Sequence, residues 1–424
     1  MKHTDQDPSS ESPRSDAALS RRALLGHTAA LAGASVLAAP ARAAMPGGTR
    51  PVFVQVFLRG AMDGLTTVVP YADADLYAWR PTLAVQPPGP ANGARDLDGF
   101  FGLAPAAAPL LTPYTAGHLA IVHASGSIDP TRSHFDAFVR MEFGDPLLPL
   151  GTVNDGWITR YLVQTQPQAT SPLRAIGASD LLPYSLSGAA STLPIPDFAN
   201  FSFPGRVATA TRRSAAIQST YSPRPSPAGP AALDTLTSIG ILAGVDFNGY
   251  APANGAAYPN TTLDFRLRNT AALIKAGTGV EAITIDVDGW DLHADLGPIN
   301  GNMAALLDDL TRSLEAFYLD MLGHLNDYVL VCLSEFGRRV EENTSAGTDH
   351  GHGNAMFVMG GGINGGQVFA DWPGLSANDL DNGDLAITTD YRDVLGEVLQ
   401  VRLGIANLPA IFPQHAFSFL GVSS

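Results

Sequence analysis

Short apolar runs rich in β-branched and aromatic residues recur along the chain, and each stops at polar or glycine residues. The first, Val52–Leu58, ends at Arg59 and Gly60. A second, Leu119–His123, leads into a loop, and apolar residues at helical spacing follow from Ser133 to Met141. Such runs predict buried strands. Strand, loop and helix in that order predict a parallel α/β sheet.

The second half of the chain repeats this alternation. It is predicted to contain, in order, the strand Ala282–Val287, a helix with apolar positions from Met303 to Leu322, the strands Tyr328–Leu333 and Ala355–Met359, and a closing helix from Tyr391 to Leu403. We therefore expect an α/β fold, a three-layer α/β/α sandwich with a mostly parallel central sheet, over residues 44–424. Residues 183–256 are rich in Pro, Ser, Gly and Ala and show little periodicity, so we expect a long insertion or cap there.

Residues 1–43 have the pattern of a secretory signal. Arg21-Arg22 precedes a stretch rich in Ala, Leu and Gly that ends at Ala41-Arg42-Ala43. A charged region, an apolar region and a small-residue cleavage site in that order predict a signal peptide, and the paired arginines predict export through the twin-arginine translocase. A permanent membrane anchor is the weaker alternative, because alanine and glycine give little insertion energy. We expect a periplasmic or secreted protein.

The chain is acidic and has a single cysteine. Without residues 1–43 it keeps 20 basic and 36 acidic side chains. Such a surface repels nucleic acid and anionic lipid, so neither is an expected partner, while part of the acidic excess is available as cation ligands. Cys332 cannot form an intramolecular disulfide, which agrees with export after folding in a reducing compartment.

Carboxylate and imidazole side chains are concentrated where the predicted strands end. In a parallel α/β sheet, loops at the carboxyl ends of strands converge on one edge and collect functional groups. The candidates at these positions are Asp63; Ser133 and His134; Asp286, Asp288, Asp291 and His293; Glu335; and Asp349, His350 and His352.

Two of these groups have spacings typical of metal ligands. His350 and His352 are separated by one glycine and lie beside Asp349, with no apolar face to pack, and Asp291 and His293 lie two residues apart. Mixed carboxylate and imidazole donors predict one or two divalent ions, with zinc, manganese, iron, magnesium and calcium all open. A hydrogen-bonded loop is the alternative for His350 and His352, and a helix N-cap or a turn is the alternative for a single aspartate after a strand.

Several longer motifs resemble a known family. They are Phe57-Leu-Arg-Gly-Ala-Met-Asp-Gly-Leu65, Arg132-Ser-His-Phe-Asp136, Asp155-Gly-Trp157, Ser334-Glu-Phe-Gly-Arg-Arg339, Thr348-Asp-His-Gly-His-Gly-Asn354 and Thr388-Thr-Asp-Tyr-Arg392. By these strings, almost the whole chain after residue 43 resembles the exported proteins grouped as domain of unknown function 1501. That family in turn looks like a branch of the alkaline phosphatase and sulfatase superfamily.

The superfamily resemblance implies roles for individual residues. Asp63 matches its first metal aspartate, and Ser133, with Thr131 as a rival, matches the place of its nucleophile. Asp291 and His293 match its first Asp/His cluster, at a shorter spacing than usual.

The chain also departs from the superfamily pattern. Glu335 and Phe336 stand where sulfatases have a metal aspartate and a histidine. We expect Glu335 to replace the aspartate and the Asp349–His352 loop to supply the missing imidazole. A site with one metal, or a catalytically silent one, remains an alternative to a two-metal site.

These observations predict an exported, metal-dependent hydrolase of phosphate or sulfate esters, acting on a small or polymer-borne anionic ester. The expected metal ligands are Asp63, Asp291, His293, Glu335, Asp349, His350 and His352, and the expected catalytic residues are Ser133, His134 and Arg338. Arg338 could clamp the anion or pair with Glu341 and Glu342. The alternative function is a secreted, non-catalytic binding or assembly protein that keeps the fold and a structural metal.

Overall fold

A computed structural model describes residues 50–147, 149, 152–166, 171–188, 192–225 and 227–424. The predicted signal segment 1–43 lies outside the described residues. The α-helices are α1 Gly64–Thr67, α2 Asp75–Trp79, α3 Leu111–Thr115, α4 His134–Phe143, α5 Trp157–Thr165, α6 Ala210–Tyr221, α7 Ala228–Ala243, α8 Thr262–Lys275, α9 Asn302–Asp320 and α10 Tyr391–Glu397. Shorter 3-10 turns span Pro105–Leu110, Tyr184–Leu186, Val207–Thr209, Leu322–Asp327 and Leu408–Ala410, and a π-helical turn, Val398–Arg402, continues α10. Within the described ranges, no helix is both long enough and apolar enough to cross a membrane.

The strands form one large sheet and one small one. They are β1 Val52–Leu58, β2 Val68–Val69, β3 Arg95–Asp96, β4 Gly102–Leu103, β5 Leu119–Gly126, β6 Ala175–Gly177, β7 Thr192–Pro194, β8 Ala282–Val287, β9 Tyr328–Ser334, β10 Asn354–Gly360, β11 Val368–Phe369 and β12 Thr389–Asp390. The large sheet has the order β11-β5-β10-β9-β1-β8-β6-β7, with β12 also paired to β5, and β2, β4 and β3 form the small sheet.

The central sheet is mostly parallel, as the sequence predicted, with one antiparallel strand. β1 pairs in parallel with β8 and β9, whereas β10 runs antiparallel to β5 and β9. The sequence did not predict this reversal. It has a direct consequence for the site, because the segment that enters β10 starts at the edge where β1, β5, β8 and β9 end.

Alternation along β1 divides the interior into two cores, one on each face of the sheet. Val54 and Val56 point to the face covered by α8 and α9. Phe53 and Phe57 point to the face covered by α4, α5 and α10. Side chains in a strand alternate between faces, and a strand buried on both faces therefore reads as a continuous apolar run. The three-layer α/β/α sandwich is confirmed.

Residues 183–256 have more regular structure than their composition suggested. They include β7 at the end of the large sheet and the helices α6 and α7. All residues of α6 are at least partly exposed, and α7 buries Gly229, Ser238 and Leu242. The surface position of these helices explains why their sequences lack a clear apolar stripe.

Candidate metal centre

Two loops and the start of one helix bring the candidate residues to a single edge of the sheet. Asp291 and His293 lie in the loop after β8, and His350 lies in the loop that enters β10. His134 is the first residue of α4, which follows β5. The antiparallel direction of β10 is what places His350 at the carboxyl ends of the parallel strands.

Four donor atoms of these side chains converge. His350 Nε2 lies 2.9 Å from His134 Nε2 and 2.9 Å from His293 Nε2. Asp291 Oδ1 lies 3.0 Å from His293 Nε2, 3.1 Å from His350 Nε2 and 3.4 Å from His134 Nε2. Ligand atoms around a tetrahedral zinc ion, at about 2.0–2.1 Å from it, are separated by about 3.3 Å. These five separations are close to those between the ligands of one small ion, and the donor atoms of His134, Asp291 and His350 all lie within 4.8 Å of one another.

The other ring nitrogen of each histidine faces a hydrogen-bond acceptor. His134 Nδ1 lies 2.6 Å from Glu335 Oε1. His293 Nδ1 lies 3.1 Å from Asp349 Oδ1. His350 Nδ1 lies 2.7 Å from the carbonyl oxygen of Arg132. Each acceptor requires a proton on Nδ1, so the neutral form of each ring carries a lone pair on Nε2.

Lone pairs that converge on each other and on a carboxylate oxygen repel unless a cation lies between them. A proton can bridge only one pair of these atoms at a time, whereas a divalent ion satisfies all four. Histidines that bind metals usually donate their second N–H to a carboxylate or carbonyl oxygen, which is the arrangement at all three rings. Donors rich in imidazole suit zinc and other transition metals, whereas magnesium and calcium prefer oxygen ligands. The residues present fit a transition-metal ion.

Burial and neighbouring charges shift the pKa values of three of the donors in different directions. Burial alone would raise the pKa of the Asp291 carboxyl, but the hydrogen bond and the charge of Arg338 lower that pKa well below its ordinary value. Burial lowers the pKa of His350, which favours the neutral ring. At His134, burial also lowers the pKa, but the hydrogen bond and charge of Glu335 outweigh it and raise the pKa above the usual value. A cation is thus favoured beside Glu335.

Phe336 forms the apolar wall of the site. Its ring stacks 4.9 Å from the ring of His134, centroid to centroid, and lies 5.2 Å from the ring of His350. The aromatic side chain in an expected ligand position therefore packs against two imidazoles. On the opposite side, the side chains of Asp291 and His293 are 45% and 44% exposed, which leaves the site open to solvent.

The structure does not place Asp63 among the converging atoms. Its Oδ1 accepts hydrogen bonds from Arg80 Nη1 at 2.8 Å and from the backbone N–H of Thr66 at 3.0 Å, and its Oδ2 accepts one from Thr348 Oγ1 at 3.2 Å. Asp63 is the N-cap of α1 and is buried with Arg80. The guanidinium group already supplies the positive charge that this carboxylate needs, and the structure places Asp63, an expected ligand, apart from the converging atoms.

Glu335 is also displaced from its expected position. Its Oε1 binds His134 Nδ1, on the side of the ring away from the converging Nε2 atoms. Asp349 is placed in the same way behind His293. Both carboxylates are expected ligands, and the structure instead places each of them behind a histidine ring, in contact with its Nδ1 atom.

His352 faces away from His350. Its Nδ1 lies 3.0 Å from Asp381 Oδ2, and its Nε2 contacts the carbonyl oxygens of Ser127 and Asp129 at 3.0 and 3.1 Å. Gly351, between the two histidines, packs directly against another segment, since a Cβ there would lie 2.2 Å from the carbonyl carbon of Arg338. Of the two expected histidine ligands in this loop, the structure brings His350 alone to the converging atoms.

Arg338 was expected to clamp an anion, but the structure encloses its guanidinium group among the loops. Its guanidinium donates to the carbonyl oxygens of Ala61, Thr348, Gly60 and Trp290 and to Asp291 Oδ1. Its side chain is 1% exposed. Arg338 instead joins the loops that carry the site, and it does not pair with Glu341 or Glu342.

Ser133 and Thr131 lie next to the centre along the chain. Ser133 is the N-cap residue of α4, but its side chain does not accept a capping hydrogen bond. Thr131 Oγ1 accepts a hydrogen bond from the backbone N–H of Ser133 at 3.2 Å. The hydroxyl of Thr131 is thus engaged in the turn that precedes the helix.

His134 was expected to be catalytic, and the structure places its Nε2 atom among the converging donor atoms. The signal that identifies it is positional, because it begins the helix that follows a central strand. Arg132 lies in the same segment, two residues before His134, and its carbonyl oxygen contacts His350 Nδ1.

Comparison with known proteins identifies a family but no activity. The family model described as "Protein of unknown function (DUF1501)" matches residues 128–400. No curated protein matches the chain.

Solved structures with some similarity include three hydrolytic proteins. One is a phosphonoacetate hydrolase from Sinorhizobium meliloti, in complex with phosphonoformate, at 14% identity and a TM-score of 0.31 over 68% of this chain and 57% of that one. Another is an alkaline phosphatase from the Antarctic bacterium TAB5, at 10% identity and a TM-score of 0.29 over 74% and 93%. The third is PsFucS1 sulfatase from Pseudoalteromonas sp., at 13% identity and a TM-score of 0.31 over 76% and 64%. These likenesses are too weak to assign chemistry to this chain.

Proposed function

We propose that this chain, which belongs to the DUF1501 family of proteins of unknown function, is a metal-dependent hydrolase of phosphate or sulfate esters. The observation that supports the proposal is the convergence of three imidazole Nε2 atoms and one carboxylate oxygen, with an acceptor behind each imidazole. Keeping these polar groups partly desolvated at one edge of the sheet costs free energy unless they bind a ligand.

In this proposal His134, His293, His350 and Asp291 hold one ion. When bound, the ion supplies a positive charge that neutralises the transferring group and lowers the pKa of a hydroxyl or a water beside it. Ser133 is the proposed nucleophile, since its hydroxyl does not cap α4 and its neighbour His134 is a ligand. Thr131 is the weaker candidate, because its oxygen already accepts the Ser133 N–H.

Recognition of an anionic ester is assigned to the start of α4 and to Arg132. A helix N-terminus favours a negative charge. The Arg132 guanidinium pairs with the buried carboxylate of Asp384 and is 34% exposed, so it is fixed yet accessible. It precedes Ser133 by one residue, and it replaces Arg338 as the proposed anion clamp.

We further propose that residues 1–43 direct export by the twin-arginine translocase, so that the protein acts in the periplasm or outside the cell. The paired Arg21 and Arg22 before the apolar stretch support this proposal.

A non-catalytic metal-binding protein is the second candidate. It is favoured by the ligand count, since four protein donors saturate a tetrahedral ion, as in structural zinc sites. The half-exposed Asp291 and His293 favour the hydrolase, because a structural ion is normally enclosed.

Turnover of generic aryl phosphates and aryl sulfates by natively purified, metal-loaded protein tests the proposal. We expect turnover that a chelator abolishes and that Ser133→Ala reduces by at least about 100-fold, within the range that a nucleophile contributes, with metal content unchanged. Thr131→Val is the matched control and should retain activity. Full metal occupancy without turnover of either ester class would favour the non-catalytic protein.

A further inference from the structure

We infer that Glu335 is a positioning residue that sets the metal affinity of the centre through His134, and that the strained turn Gly60-Ala61 holds Glu335 in place for this purpose. The inference deepens the proposed function and rests on its metal centre, but not on its esterase chemistry. It follows from the hydrogen bonds of one buried carboxylate and from the backbone of one turn.

The Glu335 carboxylate is fully enclosed and has four donors. Its side chain is 0% exposed. Its Oε1 accepts the backbone N–H groups of Gly60 at 2.8 Å and Ala61 at 3.1 Å as well as His134 Nδ1 at 2.6 Å, and its Oε2 accepts Ser334 Oγ at 2.9 Å. These contacts hold the carboxylate in one orientation. It therefore fixes both the tautomer and the ring orientation of His134.

The turn that holds Glu335 requires an unusual backbone. Gly60 has φ +112° and Ala61 has φ +59°, and the left-handed region is disfavoured for alanine. A Cβ at Gly60 would lie 2.6 Å from the backbone nitrogen of Asp291. Two successive N–H groups aimed at one anion form a nest. Such strain is typical of a site where the backbone conformation serves a function.

The opposite side of the same turn holds the second ligand. The carbonyl oxygens of Gly60 and Ala61 accept hydrogen bonds from Arg338, and Arg338 Nη2 also donates to Asp291 Oδ1 at 2.7 Å. The N–H groups of the turn thus fix His134 through Glu335, and its carbonyl groups fix Asp291 through Arg338. One strained turn sets the distance between two ligands that come from different loops.

Asp349 provides an internal comparison. It accepts from His293 Nδ1 at 3.1 Å, but its side chain is 57% exposed and that of His293 is 44% exposed. Water can replace an exposed acceptor, whereas nothing can replace the enclosed one. Loss of an outer carboxylate typically weakens metal binding by about 10–100-fold, and we expect that full effect only at Glu335.

The test compares Glu335→Gln with Asp349→Asn. Each change removes the charge of one carboxylate behind a ligand histidine and keeps its size. We would measure the dissociation constants of Zn²⁺ and Co²⁺ by competition with a chelator, and record the visible absorption spectrum of the Co²⁺ form. Glu335→Gln should weaken binding by about 10–100-fold and change the Co²⁺ spectrum, while Asp349→Asn should weaken it by less than about 5-fold.

Equal effects of the two changes, or unchanged binding in Glu335→Gln, would overturn the inference. If the glutamine variant does not fold, Glu335→Asp carries the same test, because the shortened carboxylate keeps its charge but not its reach to His134. Metal-free variants should remain folded by circular dichroism, which separates a positioning role from a structural one. A wild-type protein that binds metal but turns over no ester would remove the proposed activity and leave this inference standing.

Discussion

Replacing Asp63 by Asn distinguishes a structural carboxylate from a metal ligand. In the structure Asp63 and Arg80 form a buried ion pair, with side chains 2% and 1% exposed. Asparagine keeps the size of the side chain and caps a helix as well as aspartate does, so the cap at α1 survives. What is lost is the charge opposite Arg80. We therefore expect the folded protein to keep its metal and to lose stability.

The magnitude follows from burial. Removing one partner of a buried ion pair typically costs about 3–5 kcal/mol, because the other charge is left uncompensated. Arg80 keeps hydrogen bonds to the carbonyl oxygens of Val340 and Arg339, so we expect the lower end, about 3 kcal/mol. Changing Asp63 and Arg80 together should cost less than the sum of the single changes, since the stranded charge is then gone.

Urea unfolding of the metal-free protein and elemental analysis of the native protein are the two assays. Asp308→Asn is the matched control, because Asp308 pairs with Arg312 at the surface at 2.7 Å, and exposed helix pairs contribute only about 0.3–0.5 kcal/mol. Loss of the metal from Asp63→Asn with an unchanged free energy of unfolding would refute this reasoning and return Asp63 to the ligands.

Three further predictions concern anion binding, acid stability and export. Arg132→Met should weaken the binding of inorganic phosphate to the metal-loaded protein by about 10–100-fold, the value of a charge-assisted contact, as measured by calorimetry. The control Arg312→Met should leave the affinity for phosphate unchanged. Equal affinities of the wild-type protein and Arg132→Met for phosphate would remove Arg132 from the site. Burial lowers the pKa of His123 to about 4, so the unfolded chain takes up a proton first as the pH falls below about 6.5. The free energy of unfolding should therefore fall by about 2 kcal/mol between pH 7.5 and pH 5. In His123→Phe this part of the pH dependence of unfolding should vanish, and an unchanged slope would contradict the assignment. Arg21-Arg22 changed to Lys-Lys should leave the protein in the cytoplasm on cell fractionation, whereas normal export would rule out the twin-arginine route.

The fold could be predicted from the sequence where strands are buried on both faces. The runs that became β1, β5, β8 and β9 are predominantly apolar, which is typical of central strands. The direction of β10 could not be predicted, because an antiparallel strand in the middle of the sheet has the same apolar composition. The helices α6 and α7 were not predicted either, since each lies largely at the surface and lacks a clear apolar stripe.

The location of the candidate site could be predicted from the sequence, but only some of its residues could. Asp291, His293, His350 and His352 were expected to face one another, and the structure brings the first three together. Asp63, Glu335 and Asp349 were expected to complete the set. Whether a buried carboxylate binds a metal, an arginine or a histidine depends on residues distant in sequence, such as Arg80 for Asp63. Spacing along the chain does not contain that information.

Metal content is the most direct test of the central claim, which is that His134, His293, His350 and Asp291 hold one ion. Protein purified under native conditions, without refolding, should contain about one equivalent of a divalent transition metal per chain by elemental analysis. His350→Ala should contain almost none, because His350 Nε2 contacts each of the other three donors, while His352→Ala should retain the metal. A wild-type protein that stays metal-free after incubation with zinc, or a His350→Ala variant that keeps a full equivalent, would contradict the account.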